Sequence, residues 1–191
     1  MFSLLTPHLR LPSVQHLQVQ HLRALALDGL LLDLDCTLME YNAREIGSSI
    51  VGWLERLRVQ GIRLCLLSNA RSDRLGPLAR KLNIPFVAKA LKPLPYGCRA
   101  ALKQLGLPPS RAGLIGDQVF ADVLAGRLAG LFTILVTRLG HGEPWFTRVK
   151  RPFERCVLRW QKNYDLDWYM AGNQRISPYP NLQPGSKDTL R

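Results

Sequence analysis

The feature that most constrains the fold is an alternation of short apolar runs and helical patterns between residues 30 and 136. The apolar runs have the length of buried strands, and between them apolar residues recur at helical spacing. We predict strands at residues 30–35, 62–67, 85–90, 112–117 and 132–137, and helices at 46–60, 71–82, 96–105 and 119–129. Strands that alternate with helices favour a parallel sheet covered on both faces. The sequence therefore predicts an α/β fold of three layers around a Rossmann-like parallel sheet.

The remaining residues form three segments around a predicted core at residues 29–144. Residues 1–28 show modest helical patterning, and we expect them to pack on the core. Residues 145–171 have the pattern of a basic amphipathic helix, whose apolar face either lies in an anionic lipid interface or packs on the sheet. Residues 172–191 are rich in Pro, Asn, Gly and Ser, which predicts a flexible tail.

The chain carries a large excess of positive charge, with 26 Lys and Arg against 14 Asp and Glu and a formal net charge of +12. Such a surface attracts polyanions, so nucleic acid, an anionic lipid surface and a phosphorylated substrate all fit as partners. Charge alone does not separate these three. The sequence contains no recognisable nucleic-acid-binding motif, which disfavours nucleic acid. It does not indicate an oligomeric state.

Cysteine spacing and hydropathy bear on the compartment. The four cysteines are widely spaced and form no CxxC pair, which argues against a zinc site and for a reducing compartment. The N-terminus lacks the apolar core of a secretory signal, and the apolar runs are too short to span a membrane. We therefore expect a cytoplasmic protein that is either soluble or peripheral at the inner face of a membrane. We expect the four histidines at the surface or in loops.

Polar side chains lie at the end of four of the predicted strands or just after it. Asp33 and Asp35 stand two residues apart, so their side chains point to the same face. The others are Ser68 and Asn69 after the second strand, Lys92 after the third, and Asp117 and Asp122 after the fourth. Ligands of parallel α/β sheets bind at the carboxyl ends of the strands, so we expect these side chains to converge there. Taken alone, the two aspartates also fit a loop that binds only water.

Four short motifs carry a family resemblance. In chain order they are DLDCTL (33–38), LLSNA (66–70), KALKP (89–93) and IGDQVFADV (115–123). In this order they resemble the four motifs of the haloacid dehalogenase (HAD) superfamily, over residues 29–137. More narrowly, the Lys-Pro pair and the GDQ motif are similar to those of the YqeG-like phosphatidylglycerophosphate phosphatases of subfamily IIIA. Cys36 stands where that family has Asn, at a position that contributes mainly backbone.

The resemblance implies a phosphatase that works through an aspartyl-phosphate. Asp33 is then the nucleophile, Asp35 is the general acid and base, and Lys92 is a fixed positive charge beside both nucleophile and phosphate. The residues expected to contact the phosphate are Thr37, Ser68 and, with a less defined role, Asn69.

The same resemblance implies a magnesium site. Mg²⁺ would be held by Asp33, by the backbone carbonyl of Asp35 and by Asp117, since oxygen-only ligation suits a hard cation. Asp122 either stabilises the metal or Lys92 from outside the set of direct metal ligands, or it caps the helix that follows.

The spacing of the motifs leaves no room for a large cap domain. Between Asp35 and Ser68 the chain holds one loop and one helix, and between Ser68 and Lys92 one helix and one strand. Residues 38–45 are long enough for a small flap only. An open site suits a bulky substrate.

The resulting hypothesis is a magnesium-dependent phosphomonoester hydrolase that converts phosphatidylglycerophosphate to phosphatidylglycerol. Its partner would be a phosphorylated substrate, in this case an anionic phospholipid. A soluble sugar- or nucleotide-phosphate phosphatase is the alternative. A nucleic-acid-binding or regulatory module with vestigial phosphatase motifs is an alternative of another class.

Overall fold

The computed structural model describes residues 2–140 and Phe153. Six parallel strands form one sheet in the order β1-β6-β5-β2-β3-β4. The strands are β1 (Leu9–Leu11), β2 (Gly29–Leu32), β3 (Arg63–Leu67), β4 (Phe86–Val87), β5 (Ala112–Gly116) and β6 (Phe132–Val136). The α-helices are α1 (Val19–Ala24), α2 (Ser48–Val59), α3 (Ser72–Leu82), α4 (Tyr96–Leu105) and α5 (Leu124–Leu128). Short 3-10 turns cover Phe2–Leu5, Val14–His16 and Pro109–Arg111, and a π-helical turn covers Val119–Val123. The predicted parallel α/β sheet is confirmed.

The core lies on both faces of the sheet. At its centre, Leu30, Leu31 and Leu32 of β2 are fully buried. Successive side chains of a strand point to opposite faces, so Leu30 and Leu32 join an apolar cluster that includes α2 and α3. Leu31 joins a second cluster on the other face, which includes α4 and α5. Burial on both faces explains why the central strands are uninterrupted apolar runs.

The N-terminal segment contributes a strand that the sequence did not predict. β1 lies at one edge of the sheet and pairs in parallel with β6, with Leu9 opposite Ile134 and Leu11 opposite Val136. The strand has only three residues, which is too short for a periodic pattern to identify. His8, just before it, is buried, although we expected the histidines at the surface or in loops. Its ring stacks on Phe132 at a centroid distance of 4.7 Å.

Two predicted strands end three residues early in the structure, while the other three predicted strands are each shorter by one residue. β2 ends at Leu32 rather than at residue 35, so that Asp33 begins the loop. β4 ends at Val87 rather than at residue 90, because the backbone turns at Lys89, where φ is +48°. The Lys89 N–H donates to the Ala70 carbonyl oxygen at 2.9 Å, which ties this turn to the end of β3.

Two predicted helices differ in detail. α3 continues through Pro77, because the buried Leu75 and Leu78 on either side stabilise it against the lost backbone hydrogen bond. The helix predicted at residues 119–129 starts as the π-helical turn, which widens the backbone around Asp122 before α5 begins. Such turns are frequent at functional sites.

A loop joins β2 to α2, and α3 alone fills the connection from β3 to β4, so neither position holds a cap domain. In the predicted flap at residues 38–45, Leu38 and Met39 are buried, and Met39 forms an isolated bridge with Asp35. None of the helices in the described part of the chain is long and apolar enough to cross a membrane. The predicted basic helix at 145–171 and tail at 172–191 lie outside the described residues, except for Phe153, which is helical and exposed.

Candidate active site

The loops that leave the carboxyl ends of β2, β3, β4 and β5 bring the predicted site residues to one edge of the sheet. Asp33, Lys92, Asp117 and Asp122 are all buried there, with at most 8% of any of these residues exposed. Carboxylate oxygens of Asp33, Asp117 and Asp122 lie within 4.8 Å of one another. Residues that are far apart in the chain thus form one compact group of charges.

Lys92 is the cation at the centre of this group. Its Nζ lies 2.5 Å from Asp33 Oδ1 and 2.6 Å from Asp122 Oδ1, and it donates a third hydrogen bond to the Leu67 carbonyl oxygen at 3.1 Å. All three donors of the ammonium group are therefore used. A buried lysine held in this way stays charged. If it moved away, Asp33 and Asp122 would remain buried without their shared cation.

Asp122 contacts Lys92, which is one of the roles that the sequence left open for it, and no side chain caps the start of α5. Its Oδ1 accepts from Lys92, and its Oδ2 accepts from the Gln118 N–H at 3.0 Å, at the start of the π-helical turn. Gly116 is needed for this approach, because a Cβ there would lie 2.2 Å from the carboxyl carbon of Asp122.

Burial and neighbouring charges shift the pKa of both partners in the Lys92–Asp33 pair. Burial alone would lower the pKa of Lys92, but the carboxylates of Asp122 and Asp33 outweigh it and raise that pKa. Burial raises the pKa of Asp33; Lys92 opposes this shift, and Asp122 and Asp117 add to it. Three carboxylates lie within 4.8 Å of one another and Lys92 contacts two of them, an arrangement that favours a further cation.

Oxygen donors alone form this cluster, and the donor set fits a hard divalent cation such as Mg²⁺. Asp33, Asp117 and Asp122 supply three potential negative charges against the single positive charge of Lys92. Buried charge of one sign is costly without compensation, and a divalent ion would supply it. The carboxyl group of Asp35 is not in this cluster, and contact of its backbone carbonyl with the metal stays a prediction.

The predicted phosphate-binding residues border the cluster. Thr37 Oγ1 donates to Asp33 Oδ2 at 3.1 Å, and Ser68 is buried, with its Oγ accepting from the Ala70 N–H. The Asn69 side chain holds the backbone of Lys92 at both ends: its Oδ1 accepts from the Lys92 N–H at 2.8 Å, and its Nδ2 donates to the Lys92 carbonyl oxygen at 3.0 Å. Contact of these three residues with phosphate stays a prediction.

Arg74 is a site residue that the sequence reading missed. Its guanidinium group holds the carboxylate of Asp35 with two hydrogen bonds, at 2.6 and 2.9 Å, and both side chains are partly exposed. Arg74 lies in the first turn of α3, which begins just after the loop at Ser68. The sequence signal was a basic residue at the start of a helix at the carboxyl edge, but it does not single out Arg74, because Arg71 at the N-cap of the same helix shares it.

Comparisons with known proteins agree with this geometry. A family model described as haloacid dehalogenase-like hydrolase matches residues 14–130. The chain is 31% identical over 146 residues to the probable phosphatase YqeG of Bacillus subtilis, in a match that covers 76% of this chain and 85% of that protein. It is 30% identical over 172 residues to the chloroplastic phosphatidylglycerophosphate phosphatase 1 of Chlamydomonas reinhardtii, covering 83% of this chain and 63% of that protein.

Solved structures share the fold at lower sequence identity. One is the cobalt-bound deoxy-D-mannose-octulosonate 8-phosphate phosphatase YrbI of Haemophilus influenzae, with a TM-score of 0.50, 19% identity, and coverage of 72% of this chain and 90% of that chain. At that identity the likeness supports the fold alone. The family match, the relative YqeG and the gathered motif residues together confirm the resemblance seen in the sequence: the chain belongs to the haloacid dehalogenase-like hydrolases, as an enzyme of the phosphatase group that contains YqeG.

Proposed function

We propose that this enzyme is a magnesium-dependent phosphomonoester hydrolase that removes the terminal phosphate of phosphatidylglycerophosphate through an aspartyl-phosphate on Asp33. The observation that carries the proposal is the buried contact of Asp33 with Lys92 at 2.5 Å, inside a cluster of three carboxylates at the carboxyl edge of the sheet. A nucleophilic carboxylate, a fixed cation and a cation-binding donor set are the parts that this reaction needs.

In the first step, a carboxylate oxygen of Asp33 attacks the phosphorus atom of the terminal phosphate. A bond forms between that oxygen and phosphorus as the bond from phosphorus to the glycerol oxygen breaks. Asp35 gives its proton to the departing oxygen, since an alkoxide leaves poorly without one. Lys92 and the Thr37 hydroxyl, which both contact Asp33, keep its two oxygens in a fixed orientation.

In the second step, Asp35 takes a proton from a water molecule whose oxygen attacks the phosphorus of the aspartyl-phosphate. The bond between phosphorus and Asp33 breaks, which releases inorganic phosphate and restores both carboxyl groups. When bound at Asp33 and Asp117, with the carbonyl of Asp35, Mg²⁺ supplies positive charge that screens the repulsion between carboxylate and phosphate.

Three observations support a lipid substrate. The Chlamydomonas relative is named a phosphatidylglycerophosphate phosphatase. No cap domain covers the carboxyl edge in the described residues, so a head group on a bilayer can approach it. The formal net charge of +12 favours an anionic surface. We accordingly propose that the enzyme works in the cytoplasm at the inner face of a membrane.

The test is phosphate release from phosphatidylglycerophosphate in detergent micelles, compared with soluble sugar and nucleotide phosphates, with Mg²⁺ and with EDTA. We expect Mg²⁺-dependent release from the lipid and little from the soluble esters. Asp33→Asn should abolish turnover, whereas the matched Asp28→Asn should not, because Asp28 is half-buried and pairs with Arg111 at the start of β2, away from the site. Efficient cleavage of soluble esters with no cleavage of the lipid would identify the soluble-substrate alternative instead. If the Asp33→Asn variant kept a function that depends on nucleic acid, the alternative of a nucleic-acid-binding module with vestigial phosphatase motifs would be favoured.

A further inference from the structure

The turn that carries Lys92 exposes a cluster of large apolar side chains. Among the described residues, eight large apolar side chains are exposed, and three of these lie within six residues of one another: Leu91 at 61%, Leu94 at 48% and Tyr96 at 61%. The Leu94 N–H donates to the Leu91 carbonyl oxygen at 2.8 Å, which closes a tight turn between the two residues. We call residues 91–96 the apolar tip.

The apolar tip is held rigidly at the entrance to the site. Asn69 binds the backbone N–H and carbonyl of Lys92, so the ammonium group of Lys92 points inward while its neighbours Leu91 and Leu94 point to solvent. The two ends of the tip meet at its base, because a Cβ on Gly97 would lie 2.5 Å from the Ala90 carbonyl oxygen. The exposed leucines are therefore a fixed feature of the turn that also positions a residue of the catalytic cluster.

Positively charged residues flank the apolar tip along the chain. The 43 residues from 74 to 116 contain eight Lys and Arg and no Asp or Glu. Lys89 lies two residues before Leu91, and Arg99 lies one helical turn after Tyr96; both are exposed. Exposed leucines and a tyrosine flanked by cations are complementary to a surface that is apolar beneath a layer of negative charge.

We propose that the apolar tip is the part of this enzyme that inserts into an anionic lipid surface, and that this contact brings the active site to its substrate. The proposal rests on the proposed function and adds where the lipid surface binds. Leu91, Leu94 and Tyr96 enter the interface between head groups and acyl chains, while Lys89 and Arg99 remain among the anionic head groups. The carboxyl edge of the sheet then faces the membrane, and a head group reaches Asp33 without leaving the bilayer.

The experiment compares two double variants with the same change in charge. Leu91→Glu with Leu94→Glu alters the tip, whereas Val59→Glu with Leu128→Glu alters two exposed apolar residues at the opposite edge of the sheet, in α2 and α5. Flotation uses vesicles of phosphatidylcholine with and without phosphatidylglycerol. We expect the wild type and the control to bind the anionic vesicles. The tip variant should bind about ten-fold or more weakly, because it no longer buries two leucines in the lipid. Equal binding by the two double variants would overturn the proposal.

Activity separates this proposal from the proposed function. The tip variant should lose activity on long-chain phosphatidylglycerophosphate in vesicles and keep it on a short-chain, monomeric form of the same lipid. If the wild type cleaves neither form but still floats through its tip, docking stands and the substrate assignment fails. If the tip variant cleaves the vesicle substrate as well as the wild type does, docking fails and the substrate assignment stands. Self-association of the protein through the tip, without binding to vesicles, would also overturn the docking proposal.

A second measurement does not depend on the glutamate variants. The thiols of Cys36, Cys65 and Cys98 are buried, and burial raises their pKa to about 11, 12 and 12, so they react slowly in the folded protein. With Cys156→Ser, a cysteine introduced by Leu94→Cys can be labelled selectively with an environment-sensitive dye. Anionic vesicles should shift its emission to the blue, and a label introduced by Leu128→Cys should not respond. If the emission of a dye at position 94 did not change with anionic vesicles, insertion of the tip would be contradicted.

Discussion

Arg74 holds Asp35 by a two-point ion pair, with Nη2 at 2.6 Å from Oδ1 and Nη1 at 2.9 Å from Oδ2. In this pair Asp35 is a carboxylate, the form that takes a proton from water in the second step, and Arg74 fixes the plane of the carboxyl group that must carry a proton in the first step. Fork-shaped contacts of this kind add geometric specificity to the attraction between charges. Arg74 is thus a positioning residue that acts through Asp35.

Arg74→Ala should lower kcat on the lipid substrate by about ten-fold, because a charge-assisted contact that is partly exposed to solvent contributes about 1–2 kcal/mol. The loss should be much smaller with an activated ester such as p-nitrophenyl phosphate, whose leaving group needs no proton. Arg74→Lys keeps the charge without the fork and should recover part of the activity. Equal losses on both esters would mean that Arg74 does not act through Asp35.

Lys92→Met should destabilise the protein, because it leaves Asp33 and Asp122 buried beside each other without their shared cation. Removal of one partner of a buried ion pair costs about 3–5 kcal/mol. Urea unfolding should show this decrease in the free energy of unfolding. Lys89→Met, a matched change at an exposed lysine three residues away, should have little effect. Equal stability of the two variants would contradict the buried pair.

Mg²⁺ should raise the thermal midpoint of the wild-type protein in the absence of substrate. A ligand that binds only the folded state at about 100 times its dissociation constant stabilises that state by ~2.7 kcal/mol. Asp117→Asn should reduce this gain, since it removes one charge from the three-carboxylate cluster. An equal gain from Mg²⁺ in the wild type and in Asp117→Asn would show that the ion binds elsewhere.

His8 should make stability fall in mild acid. Its Nδ1 accepts from the backbone N–H of Thr133 at 2.8 Å, and burial together with Arg127 lowers the pKa of His8 to about 2. Below the unfolded value near 6.5, the unfolded chain therefore binds a proton that the folded chain does not, so stability is lost as the pH falls. Between about pH 7.5 and about pH 5.5, this group alone contributes a loss of about 1.4 kcal/mol.

His8→Gln keeps an acceptor near Thr133 and has no titrating ring. Urea unfolding at the two pH values should show a loss that is smaller by about 1.4 kcal/mol in the variant than in the wild type. The same loss in both proteins would mean that His8 titrates normally in the folded state.

The strands and motifs that could be predicted are those for which local pattern and burial agree. β2 and β5, and β3 after its exposed first residue Arg63, are buried on both faces, so their sequences are apolar runs. Asp33, Ser68 and Asp117 follow directly where these strands end. Position along the chain was therefore enough to place these three residues at one edge, whereas Lys92 comes five residues after the end of β4.

The features that escaped prediction depend on contacts between distant segments. β1 is a strand because β6 is there to pair with it. β4 is cut short by hydrogen bonds from Lys89 and Ala90 to the end of β3. The partner of Asp35 comes from α3, and a pattern in sequence does not show which of several arginines will reach a given carboxylate.

The central claim is that phosphate passes through Asp33. The most direct measurement is to quench the wild-type enzyme during turnover of phosphatidylglycerophosphate with Mg²⁺, reduce the acyl phosphate with borohydride, and map the modified peptide by mass spectrometry. We predict conversion of residue 33 to homoserine, only when substrate and Mg²⁺ are both present. Turnover at full rate with residue 33 unmodified, or with the label on another residue, would contradict the account.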